Sequence, residues 1–532
     1  MEINAKTFVK TGRKEFDNFI PKIRSFLEKN SLDVVIDGKK IRGYRTPDTK
    51  SIWIRDYSDM LRGIRYFEKD LKSTIEHFAE TQAESGRIFD YFTTFPEKLP
   101  SERENWTKYV RVPVEADVEY RFVKAAFLAW QATGDDMWMQ RLLPKMEKAL
   151  QYVLIHPWRW DDNTKLVKRP YTIDTWDFAY TAGAYEWLQF QITDSTFWGI
   201  MHGDNSGYYE AFRIMALLYD YFKNPGFGTL WQERADALRA NMNKMCWNGK
   251  FYTHFVKLTP VDIPGVKEEA QLSLSNPMDI NRGVATHNMA VSIIQEYIKR
   301  REETDAFAEW FSIDPPFPDG IFGDERLRKG AYVNGGIMPL VGGELAKASF
   351  AHGFETYGVS ILKRYYDMVA TTEKTYLWYF PDGTPSSVET STSPEATPTD
   401  GWGASAMLFA FLEGLAGVED KLKLYRKSRI SPRWLAARVN EAEVKISYEN
   451  SDSAIGYSFK YKDGQIFLEV HSQQSDILFH VLLPENSSAK SVSVSGKDIE
   501  FANLQIEQSS YVDFEVKIPK ETKIKIDLLD KC

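Results

Sequence analysis

The chain has 532 residues, enough for two or three domains and a sizeable core. A net charge of −8 argues against nucleic acid as a partner, and no apolar run reaches the ~18 residues of a membrane span. The two cysteines, Cys246 and Cys532, suggest neither a disulfide framework nor a cysteine zinc site.

The N-terminus, MEINAKTFVKTGRKEF, lacks the apolar stretch of a signal peptide, so a cytoplasmic location is expected unless a leader has been removed. Aromatics are in excess, with 15 Trp, 27 Tyr and 33 Phe. They fit a large aromatic core, or a cleft lined with rings for stacking on sugars. The first stretch with chemistry in it is SIWIRDYSDMLRGIRYF, 51–67. Asp56, beside Trp53 and Arg55, is either part of a salt-bridged helix start or a carboxylate that accepts two hydroxyl hydrogen bonds from a sugar. Val118, Phe122, Ala125 and Ala129 predict a helix over 114–133, stopped by Gly134, with a second helix after it. Glu115 and Glu119 either face inward to a hydroxyl or lie on a solvated face.

Residues 170–180 read PYTIDTWDFAY. Capping accounts for Asp174 better than for Asp177. The rings around Asp177 would desolvate its carboxyl group and raise its pKa, as a general acid requires. Helices are expected over 208–222 and 231–245, then a hairpin through CWNGKFYTHF. Further helices are expected over 284–301, 339–352, 355–370 and 402–416, giving ten to twelve in consecutive pairs. Two further segments hold candidates: 323–353 with Asp324, Glu325, Tyr332 and Asn334, and 380–414 with Glu389 in its Ser/Thr/Pro-rich loop. Asp400 suits a cap for the helix near Trp402, whereas Glu389 has no such duty and is a candidate base. From Glu441 onward, short alternating segments broken by Asp-Gly, Asn-Ser and Ser-Gly turns predict an antiparallel sandwich. The eight histidines show no metal-ligand spacing, and no nucleotide-binding glycine pattern is present, so neither metal nor cofactor is expected.

Taken in order, these segments resemble the six-hairpin glycosidases. WDF at 176–178 is similar to the stretch that carries the acid in inverting trehalases, and processing α-glucosidases have a like aspartate. WIRD at 53–56 is similar to that of glycogen-debranching and related glucosidases. Glu389 followed by GWGASA at 401–406 resembles the basic glutamate and the helix after it, and NGGIMP at 334–339 a loop before a late barrel helix. Asp-Phe-Ala-Tyr lacks the arginine that follows the acid in trehalases, which counts against trehalose as substrate.

The resemblance implies a mainly α fold, an (α/α)6 toroid over 1–430 followed by a small β-sandwich over 431–532. It implies inverting, exo-acting hydrolysis of an oligosaccharide or small glycoside. Asp177 would protonate the leaving oxygen. Glu389, or failing it Glu325, would deprotonate water, with the paired carboxyls about 6.5–9.5 Å apart. Arg55 and Asp56 would hold the terminal sugar. Trp53, Trp176, Trp378 and Trp402 would supply stacking walls, and Glu115 and Asn334 further contacts. Three rivals remain from the residues: an epimerase using His202, His287 and His352; a polysaccharide lyase, which the mildly acidic chain disfavours because it needs a cationic cleft; and a sugar-binding protein without catalysis.

Overall fold

The computed structural model describes residues 7–94, 108–174, 192–392, 395–473 and 475–530, with 102–105 and 530 described by backbone alone. Thirteen helices are defined among them. A short α1, Lys14–Asp17, precedes α2, Phe19–Lys29. Then come α3, Ile54–Ile64; α4, Ser73–Glu80; α5, Val118–Thr133; and α6, Asp136–Ile155. They are followed by α7, His202–Tyr221; α8, Pro225–Cys246; α9, Ser275–Arg282; and α10, His287–Glu303. The series ends with α11, Pro339–Ala351; α12, Glu355–Thr372; and α13, Gly401–Phe409, which runs on as a π-helical turn through Leu415.

The odd helices from α3 to α13 pack each against the next, and α13 returns to α3, so their contacts run in a cycle. The even helices pack outside them, α6 on α5, α8 on α7, α10 on α9 and α12 on α11. Sequence dictates which helix goes where. The outer α8 buries Gly228, Trp231, Ala235, Leu238, Met242 and Cys246, a single seam at helical spacing. By contrast α11 is buried along nearly its whole length and α13 from Gly401 through Leu408. A helix apolar all round belongs in the interior. Close approach there needs glycine: a Cβ on Gly207 of α7 would fall 2.3 Å from the Tyr120 ring of α5, and one on Gly343 of α11 would fall 2.4 Å from the Ala406 carbonyl carbon of α13.

Local signals set the helix ends. Asp135 accepts from the Trp138 amide at the start of α6, and Thr286 from the Met289 amide at the start of α10. Gly134 and Gly283 close α5 and α9 in the left-handed conformation. The expected helix over 284–301 therefore begins at His287, and a separate helix ends at Gly283. The hairpin expected at 246–255 reduces to one bridge, Trp247 to Tyr252.

Two sheets follow the helices. The seven-stranded one runs, edge to edge, Phe8–Lys10, Glu441–Tyr448, Ser453–Lys462, Gln465–Ser472, Glu521–Asp530, Ser487–Val494, Lys497–Asp498. The five-stranded one runs Val418–Asp420, Lys427–Ile430, Ser475–Leu482, Ser509–Ile518, Ala502–Ile506. All pairs in both are antiparallel except Lys427–Ile430 with Ser475–Leu482, which is parallel. The sheets thus draw strands from both sides of residue 430, including one from the N-terminus. Phe16, Phe19, Phe411 and Trp434 join the helices to this region, with the Phe19 and Phe411 rings stacked at 4.6 Å.

Candidate active site

One cluster of buried polar side chains lies at one end of the helix cycle. Arg55 and Asp56 lie in the first turn of α3, Glu115 and Asp117 just before α5, Asp204 in the first turn of α7, Ser275 at the start of α9, and Asp400 at the N-cap of α13. Contacts between them place these N-termini together. The Asp400 carboxylate accepts from the amides of Trp402 and Gly403 at 3.0 and 2.9 Å, as a cap should. Gly403 in turn abuts Pro339 at the start of α11.

Arg55 forks onto Asp117, Nε to Oδ2 at 2.7 Å and Nη2 to Oδ1 at 2.9 Å, and also pairs with Glu115. Arg121 donates to Asp59 at 2.5 Å and lies 3.4 Å from Asp117. The Trp402 indole N–H donates to the same Asp59 oxygen at 2.9 Å. Arg169 sits 3.3 Å from Asp204 and 3.8 Å from Glu115. Deeper, Arg62 pairs with Glu344, which also accepts from Asn281 at 2.6 Å. Burial alone would raise the carboxyl pKa values, but the arginines offset it. Asp117 is held at about 2 by Arg55 and Arg121, and Asp59 well below its usual range by Arg121, Arg62 and Lys124.

Asp56, Asp204 and Asp400 are raised instead. Among the described residues no group hydrogen-bonds the Asp56 carboxyl, and its side chain is only partly covered. Burial pushes it up to about 7; the Asp400 and Asp59 charges add to the rise, and Arg55 and Arg121 oppose it. Asp400 is pushed up to about 6 by burial, against its two amide bonds. Trp53, one turn away, is half-buried, packs at a tilt on Tyr91 with ring centroids 4.1 Å apart, and donates its indole N–H to Thr49 at 3.3 Å. Trp53 and Asp56 thus lie at the start of α3, while Trp402 is buried, 3% exposed, with its indole N–H on Asp59, so its ring offers no open face for stacking.

The other expected site residues fall elsewhere. Trp176 and Asp177 lie outside the described residues. Asn334 is a correction: its amide accepts from the Phe317 N–H and donates to the Phe317 and Leu327 carbonyls, so the loop consumes it. Trp378 is another: it is 0% exposed, its ring packed on Tyr332 and Phe380, and offers no face to a ligand. Glu115 is buried under Arg55 and lies before α5, not on it. Glu119 accepts from the Ile88 amide and Arg111, a structural duty. Glu389 lies exposed at the tip of the 387–391 turn, where a hydrogen bond from Ser387 lowers its pKa. That turn is tied to the Glu325 loop, since Arg326 donates to the Ser391 carbonyl at 3.3 Å; Glu325 itself is exposed. The loop then pairs with the segment leading to α3: Thr397 donates its amide to the Pro47 carbonyl, and Glu395 bridges Arg45 at 2.5 Å.

Sequence reasoning missed a buried relay behind α7 and α9. Asp174 caps α9 across the fold, accepting from the Ser275 amide at 3.1 Å and hydroxyl at 2.7 Å. Its own amide donates to His254 Nε2 at 3.2 Å, and burial takes His254 down to about 4. His202 meets Asp279 at 2.5 Å and Ser273 at 2.9 Å. The histidines of the epimerase alternative are not together. His202 is 0% exposed, while His287 and His352 contact each other at 2.9 Å by the C-terminal end of α11, about 20 Å along that helix from its N-terminus.

Among the described residues no cluster of His, Cys, Asp and Glu suits a metal ion, and no helix is long and apolar enough to cross a membrane. No family model and no curated protein matches the chain. Solved structures do match. An α-L-rhamnosidase from Dictyoglumus thermophilum superposes with a TM-score of 0.61 at 11% identity, covering 98% of this chain and 50% of its own. The Streptomyces avermitilis α-L-rhamnosidase complexed with L-rhamnose gives 0.61 at 12%, covering 98% and 42%. The mannosylglycerate hydrolase of Thermus thermophilus in complex with glucose gives 0.51 at 12%, covering 74% and 99%. The chain thus spans about half the length of the rhamnosidases it matches. At these identities the likeness is one of fold alone.

Proposed function

We propose that the chain is a glycoside hydrolase, exo-acting and inverting, for an oligosaccharide or small glycoside. Its helix cycle is read as the (α/α)6 toroid expected over 1–430 and its two sheets as a β-sandwich built mainly from 431–532, to which Phe8–Lys10, Val418–Asp420 and Lys427–Ile430 add strands. The observation that carries the reading is Asp56, a part-exposed carboxyl with no hydrogen-bond partner among the described residues, near the half-buried Trp53 where the N-termini of the cycle converge, in a fold that glycosidases share. Carboxylate oxygens accept hydroxyl hydrogen bonds, and indole faces stack on sugar rings.

In this reading Asp56 and Arg55 fix the terminal sugar and Asp177 donates the proton to the glycosidic oxygen. Glu389 is the base. Its exposure and its hydrogen bond from Ser387 keep it ionised at neutral pH, as a group that deprotonates water must be. Rhamnose, mannose and glucose are the sugars to try, because the structures of like fold are those of rhamnosidases and of a mannosylglycerate hydrolase holding glucose.

Aryl α- and β-glycosides of these three sugars, with mannosylglycerate, test the reading. We expect hydrolysis of at least one, with the first-formed anomer inverted by proton NMR. Asp177→Asn and Glu389→Gln should each lower kcat by 10²-fold or more. A Glu389→Gln enzyme at full rate would remove Glu389 as the base and bring Glu325 forward. No turnover of any substrate would count against hydrolysis.

A further inference from the structure

The Glu389 turn and the Glu325 turn belong to two loops that touch at three places. A Cβ on Gly330 would fall 3.1 Å from the Pro381 ring, the Arg328 guanidinium lies 5.0 Å from the centre of the Phe380 ring, and Arg326 donates to the Ser391 carbonyl at 3.3 Å. Asp324 sets the direction of Arg326. Nε meets Oδ1 at 3.0 Å and Nη2 meets Oδ2 at 2.7 Å, so the fork occupies one edge of the guanidinium and turns Nη1 toward Ser391. Asp324 also accepts the Arg326 amide at 2.9 Å and caps the turn 325–327. Buried Asn334 secures that turn from behind. It donates to the Leu327 carbonyl at 2.8 Å, and its side-chain amide is fixed on the Phe317 N–H and carbonyl. An unbroken set of contacts thus leads from Asn334 to Ser391, two residues from Glu389.

On the entry side of the Glu389 turn the Ser386 amide donates to the Trp378 carbonyl at 3.1 Å. On the exit side Ser391 is 0% exposed, its amide on the Ser387 carbonyl at 2.9 Å and its carbonyl on Arg326. Farther along, the returning limb is held by the Glu395 and Thr397 amides on the Asp48 and Pro47 carbonyls as well as by the Arg45–Glu395 pair, so those bonds back one another up. We propose that Arg326 is a positioning residue for the Glu389 carboxylate: by clasping Ser391 it fixes the turn that carries the base against the Glu325 loop. The inference rests on the glycosidase reading with Glu389 as base, and deepens it. A general base works only where its oxygen meets the attacking water, and a misplacement of about 1 Å can cost about 10²-fold. Loss of the clasp therefore falls on kcat, while the groups that hold the sugar, and with them KM, are left in place.

Kinetics on the glycoside that the wild type hydrolyses, together with hydrogen exchange read by mass spectrometry, test this on the full chain. Arg326→Ala should lower kcat about tenfold or more with KM within about twofold, and should speed amide exchange over 387–391 about tenfold while α13 exchanges as before. Arg326→Lys keeps a donor for Ser391 without the fork and should recover part of the rate. Arg45→Gln, whose limb keeps its two amide bonds, should stay within about twofold of wild type. Full kcat in Arg326→Ala beside a crippled Glu389→Gln overturns the inference alone. Unchanged exchange over 387–391, or an equal loss of kcat in Arg326→Ala and Arg45→Gln, does the same. Full rate in Glu389→Gln, or no hydrolysis by the wild type, instead removes the base reading and the positioning role with it, even where faster exchange shows that Arg326 holds the turn.

Discussion

Arg55 holds two carboxylates at once, and that geometry makes a pH prediction. Asp117 lies at about 2, below its unfolded ~3.9, because Arg55 and Arg121 more than offset its burial. Its contribution to stability is thus fully present above ~3.9 and is lost as pH falls toward 2. Asp117→Asn leaves Arg55 and Arg121 without their shared partner and should cost about 3–5 kcal/mol in urea unfolding at pH 7. The gap should hold down to about pH 4 and narrow below it. A gap constant to pH 3 would mean that Asp117 is not the ionised partner. At this scale the sequence showed the actors and hid their pairing. Trp53, Arg55 and Asp56 could be singled out because charge beside rings needs a reason. Asp59, Asp117 and Arg169 gave no such signal, since their partners lie on other helices. Asn334 and Trp378 looked like contacts because a loop's own hydrogen bonding and packing cannot be read from its composition.

Elements were legible where one face differs from the other. The seam of α8 repeats at helical spacing, and Asp400 is the cap its sequence suggested. The inner α11 and α13 carry little period, because every face is buried, so their place in the cycle was not readable from alternation. The short α9 before Gly283 gave no signal, because its residues, SNPMDINR, are mostly polar and include a proline. The glycines of the inner helices test the packing directly. Gly207→Ala would press a methyl group into the Tyr120 ring and should cost about 1–3 kcal/mol. Gly226→Ala, on the outer α8 with no atom within 4 Å of the new methyl, should be neutral or gain about 0.5–1 kcal/mol. Equal effects in chemical denaturation would mean that α5 and α7 are not in close contact through Gly207.

Whole-molecule behaviour turns on how the sheets are joined to the helices. Alternation past Glu441 was enough to foresee strands, but not that Phe8–Lys10 would pair with Glu441–Tyr448, because that contact joins the two ends of the chain. Arg433 donates to the Gly414 carbonyl at 2.7 Å, and Tyr511 and Ser509 bond to Glu355 at the start of α12. Trp434 is fully buried between Phe16 and Phe411, its indole N–H on the Tyr457 hydroxyl at 2.8 Å, and Tyr457 reaches on to the Ala416 carbonyl at 2.6 Å. One side chain thus touches the N-terminal helix, the end of the helix cycle and the seven-stranded sheet. Trp434→Ala should cost about 3–5 kcal/mol through the cavity it leaves. If sheets and helices unfold as one unit, calorimetry will show a single peak moved to lower temperature, with far-ultraviolet and tryptophan signals still coincident. If the joint is only a docking contact, the variant will split into two transitions, the sheets melting apart from the helices. The shared aromatic core and the strand contributed from the N-terminus both argue for the single peak, since neither can separate without exposing the other's buried face.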